Sequence, residues 1–417
     1  MPDKSLSESD ICDQFITPAI VGAGWDATAQ IRREYSFTAG RVTVRGKTAK
    51  RGPRKRADYL LSYQPNLPLA VVEAKGPNEP IGGGMQQALN YAESLHVPFV
   101  FTSNGTGFIF HDRTGNSNPV ERQIGLDEFP SPDDLWNRYR AHKGLTDEAD
   151  SLARHPFYDD YGGKEPRYYQ RNAVQAAIEA VARGARRVFL FNETATTEIY
   201  TAFQIIWRLW KAKRVKRVLF LVDRNILADQ TITNDFKPFG QVMTKIRHRM
   251  ADTSYEVYLA LYQAITGTED DKNIYKQFSK DFFDLVVIDE CHRGSARGTS
   301  ASREGREYVD DPIYTYSLKQ GIDDGFLAPY KVVRIDLDKD LQGWRPPAGM
   351  QDDLGQDIED RIYNQRDMDR VLILNQRTKL VAEKVVEYMR KTDPYGKAIV
   401  FCENIDHAER MRQAMVN

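Results

Sequence analysis

Asp58, Glu73 and Lys75 are the residues of this chain whose types and spacing point most directly to chemistry. Fifteen positions separate the two acids and the turn-forming run Gln64–Pro68 lies between them, so two neighbouring strands would bring both carboxylates to one sheet edge. Glu73 and Lys75 are two apart and therefore share a strand face. Two hard oxygen ligands beside an ammonium suit Mg²⁺, which needs one or two carboxylates and keeps several waters. Such a site would activate a water and stabilise charge on a phosphodiester. A bare Glu-x-Lys is also what an exposed strand ion pair looks like. Glu8 and Asp26 are further acids near an N-terminal helix, where caps and solvated side chains are common.

The elements that must hold these residues read as α/β. Residues from about 8 to 23 carry a helical apolar rhythm through Ile11, Phe15 and Ala19. Asp58–Tyr63 and Leu69–Ala74 read as strands, followed by a Gly-rich turn at Gly82–Gly84, a helix at Met85–Leu95 and an apolar strand at Pro98–Thr102. Gln87 and Tyr91, four apart, fall on one face of that helix. A polar stretch with Pro156, Gly162 and Gly163 reads as a linker. Beyond it, helices alternate with the apolar runs 186–191, 217–222 and 284–289, each expected to be buried on both faces of a parallel sheet. APYKVVRIDL from Ala328 and KAIVFC at 397–402 read as further strands, with helices over about 367–390 and at the end of the chain.

Composition bounds the function. The 417 residues carry 58 basic and 59 acidic side chains, with 41% hydrophobic residues. Ordinary cores are therefore affordable and wholesale disorder is excluded. No apolar stretch is long enough for a spanning helix, and the start MPDKSLSESD lacks a signal-peptide pattern. Cys12, Cys291 and Cys402 lie far apart, without metal-ligand spacing, and a reducing cytoplasm is the expected compartment. The near-zero net charge conceals a run from Arg41 to Arg56 in which eight of sixteen residues are Lys or Arg and none is acidic. It reads either as a solvated basic hairpin or as a phosphate-contacting strip.

The segment DYLLSYQPNLPLAVVEAK resembles the PD-(D/E)xK nuclease core, with Asp58, Glu73 and Lys75 in its three positions and Gln87 and Tyr91 matching the QxxxY element of some members. EPRYYQRNAVQAAIEA from Glu165 resembles the Q motif of superfamily 2 helicases, which implies that Gln170 reads adenine. Asp289, Glu290, Cys291 and His292 resemble the DECH box: by that resemblance Asp289 holds Mg²⁺ on ATP, Glu290 polarises the attacking water and His292 couples the site to the motor. Segments 220–230 and 257–267, between these two, resemble motif Ia and the next DNA-contacting element, and 397–411 resembles motif IV. The stretch DPIYTYSLKQGIDDGFLAPYKV at 311–332 resembles the restriction (R) subunit of type I restriction-modification enzymes. That resemblance covers nearly the whole chain. It implies a PD-(D/E)xK nuclease domain at 1–150, a linker at 151–165, a RecA-like helicase domain at 166–326 and an incomplete second one at 327–417. It also implies ATP and Mg²⁺ as cofactors, and double-stranded DNA, the modification (methylase) subunit and the specificity subunit as partners, with no membrane.

Two departures stand out. Where the family places ATGTGKT, this chain has ETATTEI at 193–199: Thr194 and Thr196 keep their places, Ala195 and Thr197 replace glycines, Glu198 replaces the lysine and Ile199 the Mg²⁺-binding threonine. Glycines let backbone N–H groups approach phosphate and the lysine neutralises it, so poor ATP binding is expected. Only 18 residues separate His292 from Asp311, too few for the helix and motif III expected there, of which Ser300–Ser302 would be a remnant. A stand-alone helicase-nuclease of DNA repair and a decayed motor retained as a DNA-binding scaffold are the alternative readings.

Overall fold

The computed structural model describes residues 5–45, 48–160, 162, 165–192, 198–222, 235–246, 252–261, 277–289, 311–334, 345–347, 349–351, 357–362 and 375–416. Residues 1–329 form one compact unit and residues 330–417 a second. Thr194, Thr196, Glu290, His292, segments 223–230 and 262–267 and the Ser300–Ser302 remnant lie outside the described residues.

The first unit opens with helix α1 (Glu8–Ile11), continuing through a π segment (Cys12–Ile16) into α2 (Thr17–Gly22). Ser7 starts α1 with a capping box: its hydroxyl accepts from the Asp10 N–H while the Asp10 carboxylate accepts from the Ser7 N–H. Strand β1 (Ile31–Ser36) follows, then a separate hairpin of β2 (Val42–Arg45) and β3 (Thr48–Arg51), then β4 (Arg56–Gln64), β5 (Leu67–Ala74), helix α3 (Met85–Leu95), β6 (Phe99–Ser103), β7 (Phe108–Asp112) and β8 (Glu121–Ile124). They build a six-stranded mixed sheet, β1-β4-β5-β6-β7-β8. Only β5 and β6 pair in parallel, because α3 carries the chain back across the sheet between them.

Strands β4 and β5 are apolar on both faces because both faces are covered. On one side Tyr59 and Val72 pack with Ile11, Ile16 and Ile20 and with Trp136 of α4 (Pro132–Lys143). On the other, Leu60 and Val71 pack with Ala88, Ala92 and Leu95, the i, i+4, i+7 stripe of α3. Full burial of each such aliphatic side chain stabilises the fold by about 1.5–3 kcal/mol. The β4–β5 turn passes through Asn66 at φ 65°, a left-handed conformation that Asn tolerates.

The stretch read as a linker begins inside helix α5 (Asp147–Ala153) and stays packed: Leu152 and Phe157 are buried, and buried Arg208 donates to the carbonyls of Ala153 (2.8 Å) and His155 (2.7 Å). Helix α6 (Tyr168–Ala182), strand β9 (Leu190–Asn192) and helix α7 (Glu198–Lys211) lead into β10 (Val218–Val222), β11 (Met243–Lys245), β12 (Val257–Leu261), β13 (Leu285–Ile288), β14 (Tyr314–Tyr316) and helix α8 (Leu318–Asp323). A parallel four-stranded sheet runs β11-β12-β10-β13, and β9 pairs in parallel with β14. The mixed and parallel sheets with covering helices bear out the expected α/β class.

Three strand expectations need correction. The run 186–191 is strand only from Leu190. β13 is not buried on both faces: among the described residues it is an edge strand, and Val286 and Ile288 are exposed because no described residue covers them. Residues 328–334 and, in the second unit, 397–402 adopt no strand among the described residues, and Ile399 (81%) and Phe401 (93%) are exposed, because a strand exists only where a neighbour pairs with it. That unit contributes helices α9 (Asn375–Thr392) and α10 (Ile405–Val416).

Candidate active site

The antiparallel register that sets Tyr59 opposite Val72 sets Asp58 opposite Glu73, so the two carboxylates share the α3 face of the sheet. Asp58 Oδ2 accepts the Ala74 N–H at 2.8 Å, and the Asp58 N–H points at Glu73 Oε1 at 3.4 Å. Glu73 is 1% exposed. Gln87 on α3 donates Nε2 to Glu73 Oε2 at 2.8 Å and lies 3.3 Å from the Tyr91 hydroxyl, so the i, i+4 pair faces the acids. Lys75 follows β5, its backbone N–H held by the Ser103 carbonyl at 2.8 Å. The structure thus brings Asp58, Glu73, Lys75, Gln87 and Tyr91 to one place.

Electrostatics mark Glu73. Burial, then the Asp58 carboxylate, pushes its pKa up to about 8, only partly countered by Lys75. Glu73 therefore holds a proton at neutral pH. Burial also raises the Tyr91 phenol, with the Glu73 charge adding to the effect.

Three neighbours join them: Glu8, already a candidate in the sequence, and Thr102 and Gly84, which spacing does not single out. Glu8 reaches the same field: burial raises its pKa, Lys75 opposes and Asp58 adds, whereas Asp26 is spent on the N–H groups of Thr28 and Ala29. Thr102, opposite Glu73 in the parallel β5–β6 register, is fully buried with its hydroxyl unpaired. Gly84, at the start of α3, approaches so closely that a Cβ there would lie 3.0 Å from Lys75 Cε and 3.2 Å from Glu73 Cβ. The Gly-rich turn was visible in the sequence; its contacts were not.

The second candidate site is less complete. Asp289 sits just beyond the carboxyl end of β13, its N–H donating to the Leu221 carbonyl at 2.9 Å, the expected position for a ligand-facing carboxylate in an open parallel sheet. Gln170 is buried, and its Oε1 accepts the Arg167 N–H at 2.9 Å as a helix cap. Ile199, in the threonine slot, is buried in the lobe's apolar core. A cavity of about 440 Å³ opens beside the first turn of α7, lined by Tyr158, Tyr200, Phe203 and Lys237, with two acids, Asp160 and Asp235.

Known proteins match this layout. The structure resembles a solved fragment of an HsdR subunit of a type I restriction enzyme from Vibrio vulnificus YJ016, with a TM-score of 0.75 and 34% identity, covering 98% of this chain and 74% of that one. This chain belongs to the HsdR family. Its sequence is also 53% identical over 439 residues to the type I restriction enzyme EcoAI endonuclease subunit of Escherichia coli, covering 99% of this chain and 54% of that protein. The EcoKI endonuclease subunit of Escherichia coli strain K12 is 25% identical over 522 residues, covering 97% and 43%. The family described as type I restriction enzyme R protein N terminus (HSDR_N) matches residues 28–130, and the family described as type III restriction enzyme, res subunit, matches 163–315. This HsdR-family chain spans about half the length of the curated relatives it matches. No helix among the described residues is long and apolar enough to cross a membrane.

Proposed function

We propose that this chain supplies the Mg²⁺-dependent duplex-DNA nuclease of a type I restriction enzyme, acting in the cytoplasm in a complex with modification and specificity subunits. The observation that carries this reading is the convergence of Asp58, buried Glu73 and the Gln87 amide on one face, with Lys75 two residues on. The proposed domain division is the nuclease at 1–150, the first RecA-like lobe at 166–326 and part of a second at 327–417, with 151–165 a packed connection rather than a free linker. The test is cleavage of plasmid DNA by the assembled complex with Mg²⁺. A complex that binds its target and translocates yet never cuts overturns the reading.

The donor set fits the metal. The buried Glu73 carboxyl holds one dissociable proton at neutral pH, and a dication held by Glu73 and Asp58 would displace it. Bound there, Mg²⁺ would supply charge stabilisation at the scissile phosphate and a more acidic water. The protein's own groups do the rest. Asp58 is fixed by the Ala74 N–H, Glu73 by the Gln87 amide, and Lys75 places an ammonium on the same face to orient the attacking water. The sign of the pH dependence follows. With the Glu73 pKa raised to about 8, a cation competes with a proton below that pH, so Mg²⁺ affinity should rise about tenfold per pH unit from 6 to 8 and level off above. Calorimetry in buffers of different ionisation enthalpy should show close to one proton released at pH 7; no release would refute it.

Gly84→Ala should cut cleavage roughly 10- to 100-fold, because a misplacement of about 1 Å at Lys75 or Glu73 has effects of that size. Plasmid cleavage measured beside a thermal melt checks it: an unchanged rate would show that the close approach is irrelevant.

For ATP the reading is negative. Glu198 in the lysine position and buried Ile199 in the threonine position do not suit a Mg²⁺-triphosphate, so the lobe binds ATP weakly as written. The 439-residue span aligned to the EcoAI subunit exceeds this chain's 417 residues, which supports the reading that residues are missing here, as the short stretch after His292 suggests.

A further inference from the structure

The basic run does not stand free in solvent. Arg41 pairs with Asp323 at 3.2 Å, and Lys55 Nζ lies 3.7 Å from Asp324 Oδ1. Arg51 Nη1 donates to the carbonyls of Gly325 (2.9 Å), Ala39 (3.1 Å) and Gly40 (3.2 Å), and the Ala39 N–H donates to the Asp324 carbonyl at 2.8 Å. Gly325, at φ +78°, presses so close that a Cβ would sit 1.9 Å from the Gly40 oxygen. The centre of this contact is Asp324, 4% exposed, whose Oδ2 also accepts from the Tyr316 hydroxyl at 2.9 Å and from the Tyr168 hydroxyl. Tyr316 ends β14, the partner of β9, and Tyr168 begins α6. The chain between Lys55 and Asp58 is two residues long, so the same contact borders the strand that carries the candidate metal ligand.

An isolated two-stranded hairpin is marginal in water, and every described residue of β3 is exposed, so β2 and β3 cannot fix their own orientation. The docked side provides it. On the other side Arg45, Lys50 and Arg54 are exposed, without a carboxylate partner among the described residues.

We propose that Asp324 is a positioning residue that pins the basic hairpin to the lobe carrying β9 and β14, so that Arg45, Lys50 and Arg54 present a fixed cationic strip to the DNA entering the Asp58–Glu73 site. The DNA part of this assignment rests on the nuclease reading; the pinning does not. A buried carboxylate with two hydroxyl donors and an ammonium is well satisfied, and removing its charge frees Lys55 at little change in shape.

The test uses the assembled complex with Asp324→Asn, Lys55→Met and the double variant. Amide exchange of Ala39, Gly52 and the hairpin should accelerate about tenfold in each single variant, with no further change in the double, since both remove one interaction. DNA cleavage should fall about tenfold while DNA affinity stays within about twofold. Converting Arg45, Lys50 and Arg54 to Ser should instead flatten the dependence of log affinity on log salt by up to about 2.7. Unchanged exchange overturns the pinning, and unchanged cleavage with faster exchange overturns its role in placing DNA. If Asp324→Asn does not fold, exposed Lys55→Met decides alone. A wild-type complex that never cuts DNA refutes the nuclease reading, whereas exchange and the salt slope still judge the hairpin.

Discussion

Glu73→Ala should abolish Mg²⁺-dependent DNA cleavage by the assembled complex, by about 10³-fold or more, with DNA affinity within about twofold of wild type. Glu73 is the most buried carboxyl of the site, faces Asp58 across the strand pair and accepts the Gln87 amide. Alanine removes a proposed metal ligand and leaves Gln87 with the Tyr91 hydroxyl as its acceptor, yet it also removes a carboxyl that holds a proton at neutral pH in an apolar setting. Fold stability should therefore not suffer. With the pKa raised from 4.5 to about 8, burying the ionised form opposes folding increasingly as pH rises through that window, so the variant should gain stability relative to wild type at pH 8 and little below pH 5. This opposite movement of activity and stability separates a site residue from a core residue. Asp58→Ala and Lys75→Ala should lose cleavage similarly. Retained cutting in Glu73→Ala would remove the assignment.

How much of this was legible in the sequence depended on the range of each contact. Asp58, Glu73, Lys75, Gln87 and Tyr91 could be grouped in advance because a turn, a two-residue strand period and a helical i, i+4 spacing connect them within 34 residues. The paired runs of β4 and β5 and the bounds of α3 were likewise close to expectation, since apolar patterning and glycine punctuation are local. Thr102 and Glu8 reach the site through parallel pairing and through helix packing, and neither leaves a periodic trace. The basic run shows the limit most plainly. Charge alone leaves it as solvated hairpin or phosphate strip, whereas Arg41, Arg51 and Lys55 are held by residues about 270–280 positions away, and only part of the run remains for a ligand. The exposed apolar residues Ile399 and Phe401 fail for a related reason: composition marks a strand, but pairing makes one.

The second large effect lies in the motor lobe. ATP should bind this chain at least about 10³-fold more weakly than the reverted protein carrying Ala195→Gly, Thr197→Gly, Glu198→Lys and Ile199→Thr, as measured by calorimetry or displacement of a fluorescent nucleotide. At about 4 Å and an effective dielectric constant near 20, one pair of unit charges is worth about 4 kcal/mol, and exchanging an ammonium for a carboxylate reverses the sign of that term. Solvent screening reduces it, but half of the swing already corresponds to about 10³-fold. Residue type adds to charge: where the family pattern has glycines, Ala195 and Thr197 carry Cβ atoms, which hinder close approach of backbone N–H groups to phosphate. Ile199 is committed to the apolar core beside Phe203 and Phe220, so the fold has turned a ligand position into a packing position. For the same reason Ile199→Thr alone should destabilise the lobe without restoring binding, and the charge change at Glu198 should account for most of the gain in the reverted protein. Micromolar ATP binding by the unaltered chain would overturn this account.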